Sequence, residues 1–271
     1  ILQSDDWYSP IPLPGPINTV GAEDSPFLTP DGQWFFFTFT PDVRVPAEGQ
    51  LIDGVTGIWW SEKVGDDWTE PERIVLSDGV SLDGAEFIQD GTMWFGSVRA
   101  GNYREIDIYT AKYDDGKWTD VANAGEQLNV QYDVGEFCLS PDGKTLYFGS
   151  GNATRDIWSL KWTDGSWGNL TKVANVNSDD LSEDQPFVTA DGMELWFTGQ
   201  SRKGYPGPAV YRSTWNGTTW GHPIEIISRF AGEPTIDGQG NIYFVHHFFS
   251  QDGTMIEADI YVAYRKVLTD S

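Results

Sequence analysis

A cassette of about 50 residues recurs five times along this 271-residue chain, and its last part also stands alone at the start. There Trp7-Tyr8-Ser9-Pro10-Ile11 follows no repeat. The third copy shows the cassette whole. It runs Cys138-Leu139-Ser140-Pro141-Asp142-Gly143-Lys144-Thr145-Leu146-Tyr147-Phe148, then Asp156-Ile157-Trp158, then Asp164-Gly165-Ser166-Trp167. Asp-Gly turns begin at Asp31, Asp90, Asp142 and Asp191, and Gln239-Gly240 takes the fifth place, at spacings of 59, 52, 49 and 48 residues. Each turn leads into an apolar, aromatic run such as Phe35-Phe36-Phe37 or Leu195-Trp196-Phe197, and then a third run such as Ile58-Trp59-Trp60 or Val210-Tyr211.

Short runs of β-branched and aromatic residues between Gly, Asp and Asn read as strands joined by hairpins. Asp115-Gly116, Asp164-Gly165 and Asn216-Gly217 supply the positive φ that tight hairpins need between a third and a fourth strand. Each fourth strand opens on a tryptophan, at Trp68, Trp118, Trp167 and Trp220, but the fifth copy ends at Tyr264-Arg265-Lys266 without one. Trp7 is the missing member. Four strands in about 40–50 residues is the period of a β-propeller blade. The expected fold is therefore all-β: a five-bladed propeller of four-stranded antiparallel blades, one domain over residues 1–271. The blades fall at about 20–75, 80–127, 130–175, 180–228 and 230–266, with 7–13 returning as the outer strand of the last one. That displacement closes the ring and removes an open sheet edge. A solenoid of the same repeats would give no reason to move a strand from one end to the other.

The net charge of −24, from 17 Lys and Arg against 41 Asp and Glu, would repel a phosphate backbone and excludes nucleic acid as a partner. An acidic surface also serves simply as a solubility device. Cys138 is the single cysteine, so no disulfide can form within the chain, and its place in an inner strand suits a small buried hydrophobe. No apolar stretch approaches the length of a membrane span. The chain opens on Ile1 without a signal sequence, and a processed or trimmed chain is expected. Three Asn-x-Thr triplets, at Asn152, Asn169 and Asn216, are too short a pattern to carry weight.

The run Ser140-Pro141-Asp142-Gly143-Lys144-Thr145-Leu146-Tyr147-Phe148, followed by Arg155-Asp156-Ile157-Trp158, resembles the WD-like repeat of the TolB-type propeller family. Asp90-Gly91-Thr92-Met93-Trp94-Phe95 with Arg99 and Asp107-Ile108-Tyr109 is a weaker form, and the fourth copy replaces the last triplet with Ala209-Val210-Tyr211. Trp68-Thr69-Glu70-Pro71 and the connector Asn175-Val176-Asn177-Ser178-Asp179-Asp180 look like the version that envelope proteins couple to OmpA-like domains. No OmpA-like domain is present here. The resemblance implies a propeller outside the cytoplasm that serves as a binding or scaffold platform rather than as an enzyme. Its commonly six blades against the five counted here leave a specific partner open.

Before each inner strand stands an acidic cluster: Glu23-Asp24, Asp83 with Glu86, Asp133 with Glu136, Glu183-Asp184, and Glu233. In a propeller the inner strands line the axial channel, so these carboxylates should ring one of its mouths. Three readings stay open. They can be a solvated rim, since acidic residues accept backbone N–H bonds at turns wherever such a loop recurs. Asp24, Glu86, Glu136, Asp184 and Glu233 can instead hold a hard cation such as Ca²⁺, which takes six to eight oxygens. Or Glu86, Glu136 and Asp184 can be the carboxylates of a glycoside-active enzyme, as in five-bladed furanosidases. The ligand-binding set expected on the first two readings is Glu23, Asp24, Glu86, Glu136, Glu183, Asp184 and Glu233, together with Tyr205 from the insertion 202–208. The insertions 41–57 and 248–257 also break the repeat, and binding sites favour such variable loops.

Other ionisable groups read as architecture. The recurring Asp107, Asp156 and Asp259 suit hydrogen bonds to a neighbouring turn, with Arg99, Arg155 and Arg202 beside them or beside the adjacent loop. His246 and His247 should face opposite sides of a strand, each packed singly between blades. No phosphate loop, serine elbow or Cys/His cluster occurs. The function expected is a noncatalytic, extracytoplasmic binding or scaffold module, monomeric, with a protein, peptide or glycan ligand at the acidic face.

Overall fold

A computed structural model describes residues 1–266. The strands in chain order begin with β1 (Ile11–Pro12), β2 (Ala22–Leu28), β3 (Trp34–Thr40), β4 (Gly57–Val64), β5 (Asp67–Trp68) and β6 (Glu72–Arg73). The second repeat forms β7 (Ser81–Gln89), β8 (Thr92–Arg99), β9 (Asp107–Asp114) and β10 (Lys117–Asn123). The third forms β11 (Phe137–Leu139), β12 (Thr145–Ser150), β13 (Asp156–Thr163) and β14 (Ser166–Lys172). The fourth forms β15 (Glu183–Val188), β16 (Glu194–Gln200), β17 (Pro208–Thr214) and β18 (Ile224–Ile227), and the last β19 (Ala231–Ile236), β20 (Ile242–Phe249) and β21 (Met255–Ala263). Three repeats are separate four-stranded antiparallel meanders; the first and last share one nine-stranded sheet through the single parallel pairing Ala22↔Ala258.

The second strands of the first, fourth and last repeats hold consecutive buried residues, which is why their sequences there are apolar without alternation, while β8 of the second repeat alternates. Phe35, Phe36 and Phe37 are all buried, as are Leu195, Trp196 and Phe197. One core cluster joins the first three repeats, and another joins Leu13, Ile17 and Phe35 to Tyr243 and Val262 of the last.

The N-terminal segment lies along β21. Trp7 bridges Arg265, Ile11 pairs with Val262 and Pro12 with Tyr261. The Trp7 ring is 1% exposed, meets Trp196 edge-on at 5.8 Å, lies under the Arg265 guanidinium at 4.3 Å and donates its indole N–H to the Gly240 carbonyl at 2.8 Å. Eleven residues on, Asn18 accepts from the Ile260 N–H and donates to the Ile260 carbonyl, both at 2.9 Å. Asn129 does the same to Ile108 and Asn177 to Ile157. In each case a side-chain amide stands in for a strand partner, so the N-terminal segment serves β21 as the connectors after Trp118 and Trp167 serve β9 and β13. That amide was an unread signal in the sequence.

Two details differ from the sequence reading. The insertion 41–57 folds a short helix, Ala47–Gln50, and 248–257 is no separate loop but the lengthened hairpin of β20 and β21. Cys138 is buried as expected, and burial pushes its thiol up to about 12.

Trp7→Ala is expected to cost about 3–5 kcal/mol in denaturant unfolding, the range for a buried aromatic. Trp162→Ala, at a 43% exposed ring, should cost about 1 kcal/mol or less. Equal losses would show that the N-terminal segment is not an integral strand.

Candidate functional site

Four of the inner strands lose register at the same place: between Asp24 and Phe27, Gly84 and Phe87, Asp184 and Phe187, and Gly232 and Thr235. Each bulge carries a residue in the left-handed region, Ser25, Ala85, Gln185 or Glu233, at φ of 49–54°. A bulge of this kind re-aims the side chains on either side of it. Strand alternation sends Glu23 and Asp24, and Glu183 and Asp184, to opposite faces, and the bulge separates Asp83 from Glu86, so the acidic residues, expected to converge as one set, fall into two classes.

The first of each cluster turns back into its own sheet. Glu23 accepts from the Thr19 hydroxyl at 2.7 Å, Asp83 from Ser97 at 2.6 Å and Arg99 at 2.7 Å, and Glu183 from Ser178 at 2.7 Å and Arg202 at 2.6 Å. These are structural bonds, so the structure does not bring Glu23 and Glu183 to the channel face. Burial pushes the Glu23 carboxyl up to about 7. Asp133 stays at the surface with Arg104 and Ser150. The arginines therefore pair with inner-strand acids, whereas Asp107 caps the 103–104 turn, Asp156 meets Lys172 and one Asp259 oxygen has no partner.

The second class converges. A cavity of about 60 Å³ is lined by Ser25, Ala85, Glu86, Glu136, Gln185 and Glu233, above a floor of Phe27, Phe87, Phe137 and Phe187. Asp24, Asp184 and His247 stand beside it, tied to its lining residues by contacts and charge. Bonds between neighbouring repeats hold these groups in place. Thr38 donates to Glu86 Oε2 at 3.0 Å and accepts from the Ala85 N–H, and Thr198 accepts from the Glu233 N–H at 2.7 Å. Glu233 Oε2 accepts from the Ser25 N–H at 2.7 Å, and Gln185 donates to Glu136 at 3.2 Å. Arg155 pairs with Asp184 at 3.1 Å; a Cβ at Gly135 would collide with that guanidinium and one at Gly149 with that carboxylate. Tyr205, 37% exposed on its loop, is not among the residues lining the cavity.

His247 was expected to pack singly, yet it belongs here. Its Nε2 lies 3.4 Å from Glu233 Oε1, and ligand atoms of Asp24, Glu233 and His247 all fall within 4.8 Å of one another. Alternation places His246 and His247 on opposite faces of β20, and the packing of the sheets makes His247 the one that meets Glu233.

Burial dominates the protonation of the cluster. It pushes Glu86 up to about 8, and Asp24 up to about 7 with help from the Glu233 charge. Glu136 is held well above the glutamate range by burial and then by Glu233 and Asp184. Glu233 resists its own burial, because the hydrogen bond and charge of His247 and the Ser25 N–H keep it below that range; burial likewise acts against His247, whose bond to Glu233 raises it. Burial thus pushes Glu86 and Glu136 toward the neutral acid, whereas Glu233 and His247 favour each other's charged form and Arg155 pairs with Asp184. Glu86 Oε1 and Asp184 Oδ1 are buried without a hydrogen-bond partner.

No family model matches the chain, and no curated protein matches it. Solved structures do. An enzyme of a Bacteroides ovatus xyloglucan locus shares 15% identity over 94% of this chain and 54% of its own, with a TM-score of 0.57. An α-L-arabinofuranosidase of Podospora anserina shares 12% over 94% and 95%, TM-score 0.54. TolB of Acinetobacter baumannii shares 17% over 90% of this chain, TM-score 0.51, and this chain spans about half (54%) of its length. At such identities the likeness shows the fold, an all-β propeller of four-stranded sheets.

A carboxyl raised by folding binds more protons folded than unfolded, so the stability it contributes is full below its unfolded value of 4.5 and is lost as pH rises through about 8. Thermal unfolding of metal-free protein is expected to show a melting temperature that falls over that window and a flatter profile for Glu86→Gln. An equally steep profile in the variant would remove Glu86 as its source.

Proposed function

We propose that this chain is a noncatalytic binding propeller whose ligand is recognised at the axial acidic face, with a cation as part of that recognition. The carrying observation is the cavity itself. Carboxylates from separate sheets meet in about 60 Å³, far below the roughly 300 Å³ at which small-molecule clefts begin and enough for an ion with a few waters.

The same reading takes the five repeats as five blades of one propeller, 1–271, closed by the N-terminal strand. Contacts of β2 with β7 and β19, of β15 with β11 and β19, and of Phe87 with Phe137 at 5.9 Å support a ring of inner strands. The repeat's likeness to the TolB type supports a place outside the cytoplasm, and no helix of the described residues is long and apolar enough to cross a membrane. A monomer with a protein, peptide or glycan partner remains the proposal, with Glu86, Glu136, Asp24, Asp184 and Glu233 as its contact set.

A second reading has a specific observation behind it. Glu86 and Glu136, raised by burial, beside Glu233, held low by His247, are the raised and lowered carboxyls that glycoside hydrolysis uses as acid and base, and two of the similar folds are an α-L-arabinofuranosidase and a protein of a xyloglucan locus. Incubation with aryl α-L-arabinofuranosides and aryl β-xylosides between about pH 5 and pH 8 separates the readings. No aglycone release above that of Glu136→Gln is expected; release that the variant abolishes would overturn the noncatalytic reading.

A further inference from the structure

The groups converging on the axis are not all oxygen donors. Asp24, Glu233 and His247 place their ligand atoms within 4.8 Å of one another; three atoms so spaced lie at most about 2.8 Å from a common centre, against about 2.1 Å to a bound ion, so an inward shift of each by less than about 1 Å brings all three onto one ion. His247 Nδ1 faces the Phe230 carbonyl at 3.4 Å. A ligating imidazole commonly uses its second nitrogen in this way, leaving Nε2 for the metal. The Nε2–Glu233 separation of 3.4 Å is longer than a charge-assisted bond of about 2.7–2.9 Å, so the ion pair leaves both partners room to rotate toward a shared ion.

The independent observation is Glu86. It is 4% exposed, it lines the cavity, Thr38 holds its Oε2, and its Oε1 is buried with no partner. A buried acceptor left over among other carboxylates costs free energy unless a cation or proton meets it. It lines the same cavity as Glu233, the member of the three-residue set that meets His247.

We propose that Asp24, Glu233 and His247, with Glu86 as fourth donor, bind a first-row transition-metal dication such as Zn²⁺ or Mn²⁺ in preference to Ca²⁺. The donor set decides the class: one imidazole with a few carboxylates suits Zn²⁺, Mn²⁺ and their neighbours, whereas Ca²⁺ needs six to eight oxygens. This rests on the cation reading above and names its ion.

The test uses the whole chain without a poly-His tag, stripped with a chelator and titrated by calorimetry with Zn²⁺, Mn²⁺, Ca²⁺ and Mg²⁺. Binding of one Zn²⁺ or Mn²⁺ per chain is expected, at least about tenfold tighter than Ca²⁺. His247→Gln and, separately, Asp24→Asn should each weaken it by about 10–100-fold, while Glu62→Gln on the surface leaves it unchanged. The Co²⁺ form should show an absorption band that His247→Gln shifts. If His247→Gln fails to fold, Asp24→Asn and the Co²⁺ spectrum of the unmodified chain still decide. Ca²⁺ binding as tight as Zn²⁺, or binding indifferent to Asp24 and His247, would overturn this assignment yet leave the cation reading standing. No binding of any of the four would overturn both.

Discussion

The break in register of the inner strands is the constraint on which the site depends. A regular strand sends successive side chains to opposite faces, so Asp24 and Phe27, three residues apart, would point in opposite directions by alternation. The bulge at Ser25 and its counterparts inserts a left-handed residue, and beyond it Phe27, Phe87 and Phe187 form the apolar floor under a polar cavity. Left-handed backbone at a residue other than glycine is strained. In three of the four strands that strain is offset because the N–H groups at Ser25, Ala85 and Glu233, unpaired by the bulge, find side-chain partners in the adjoining repeat.

Those partners make the cavity a junction rather than a hole. Thr38, Thr198, Gln185 and Arg155 each reach from one sheet to the next, so the groups that line the axis are also the groups that hold the sheets in phase. Gly135 and Gly149 lack side chains where Arg155 and Asp184 pass. The axial groups are consequently preorganised, which lowers what a ligand must spend on ordering them.

Low dielectric sets the charge of the cluster. Several carboxylates cannot all ionise out of water at close quarters; the His247 partner favours the ionised form of Glu233, and burial favours the protonated forms of Glu86 and Glu136. The chain's net charge of −24 is thus not expressed evenly: burial pushes Asp24, Glu86 and Glu136 toward the neutral form, which leaves a larger share of the charge to the surface.

The repeat period, the Asp-Gly turns and the stray Trp7 determined by themselves that this chain builds four-stranded antiparallel sheets and that its N-terminal strand joins the last of them, because hairpin chemistry and apolar runs are local properties. The acidic clusters were legible too, but as one class. Only the tertiary structure separated Glu23 and Glu183, bonded to Thr19, Ser178 and Arg202, from Asp24, Glu86, Glu136, Asp184 and Glu233 at or beside the cavity, since alternation alone does not say which face of a strand meets that cavity and the bulge between Asp83 and Glu86 leaves no mark in composition. It likewise drew His247 from packing into the site and left Tyr205 out of the cavity lining. Which side of a strand meets the axis is decided by how sheets pack against one another, and that is a property of the assembled fold alone.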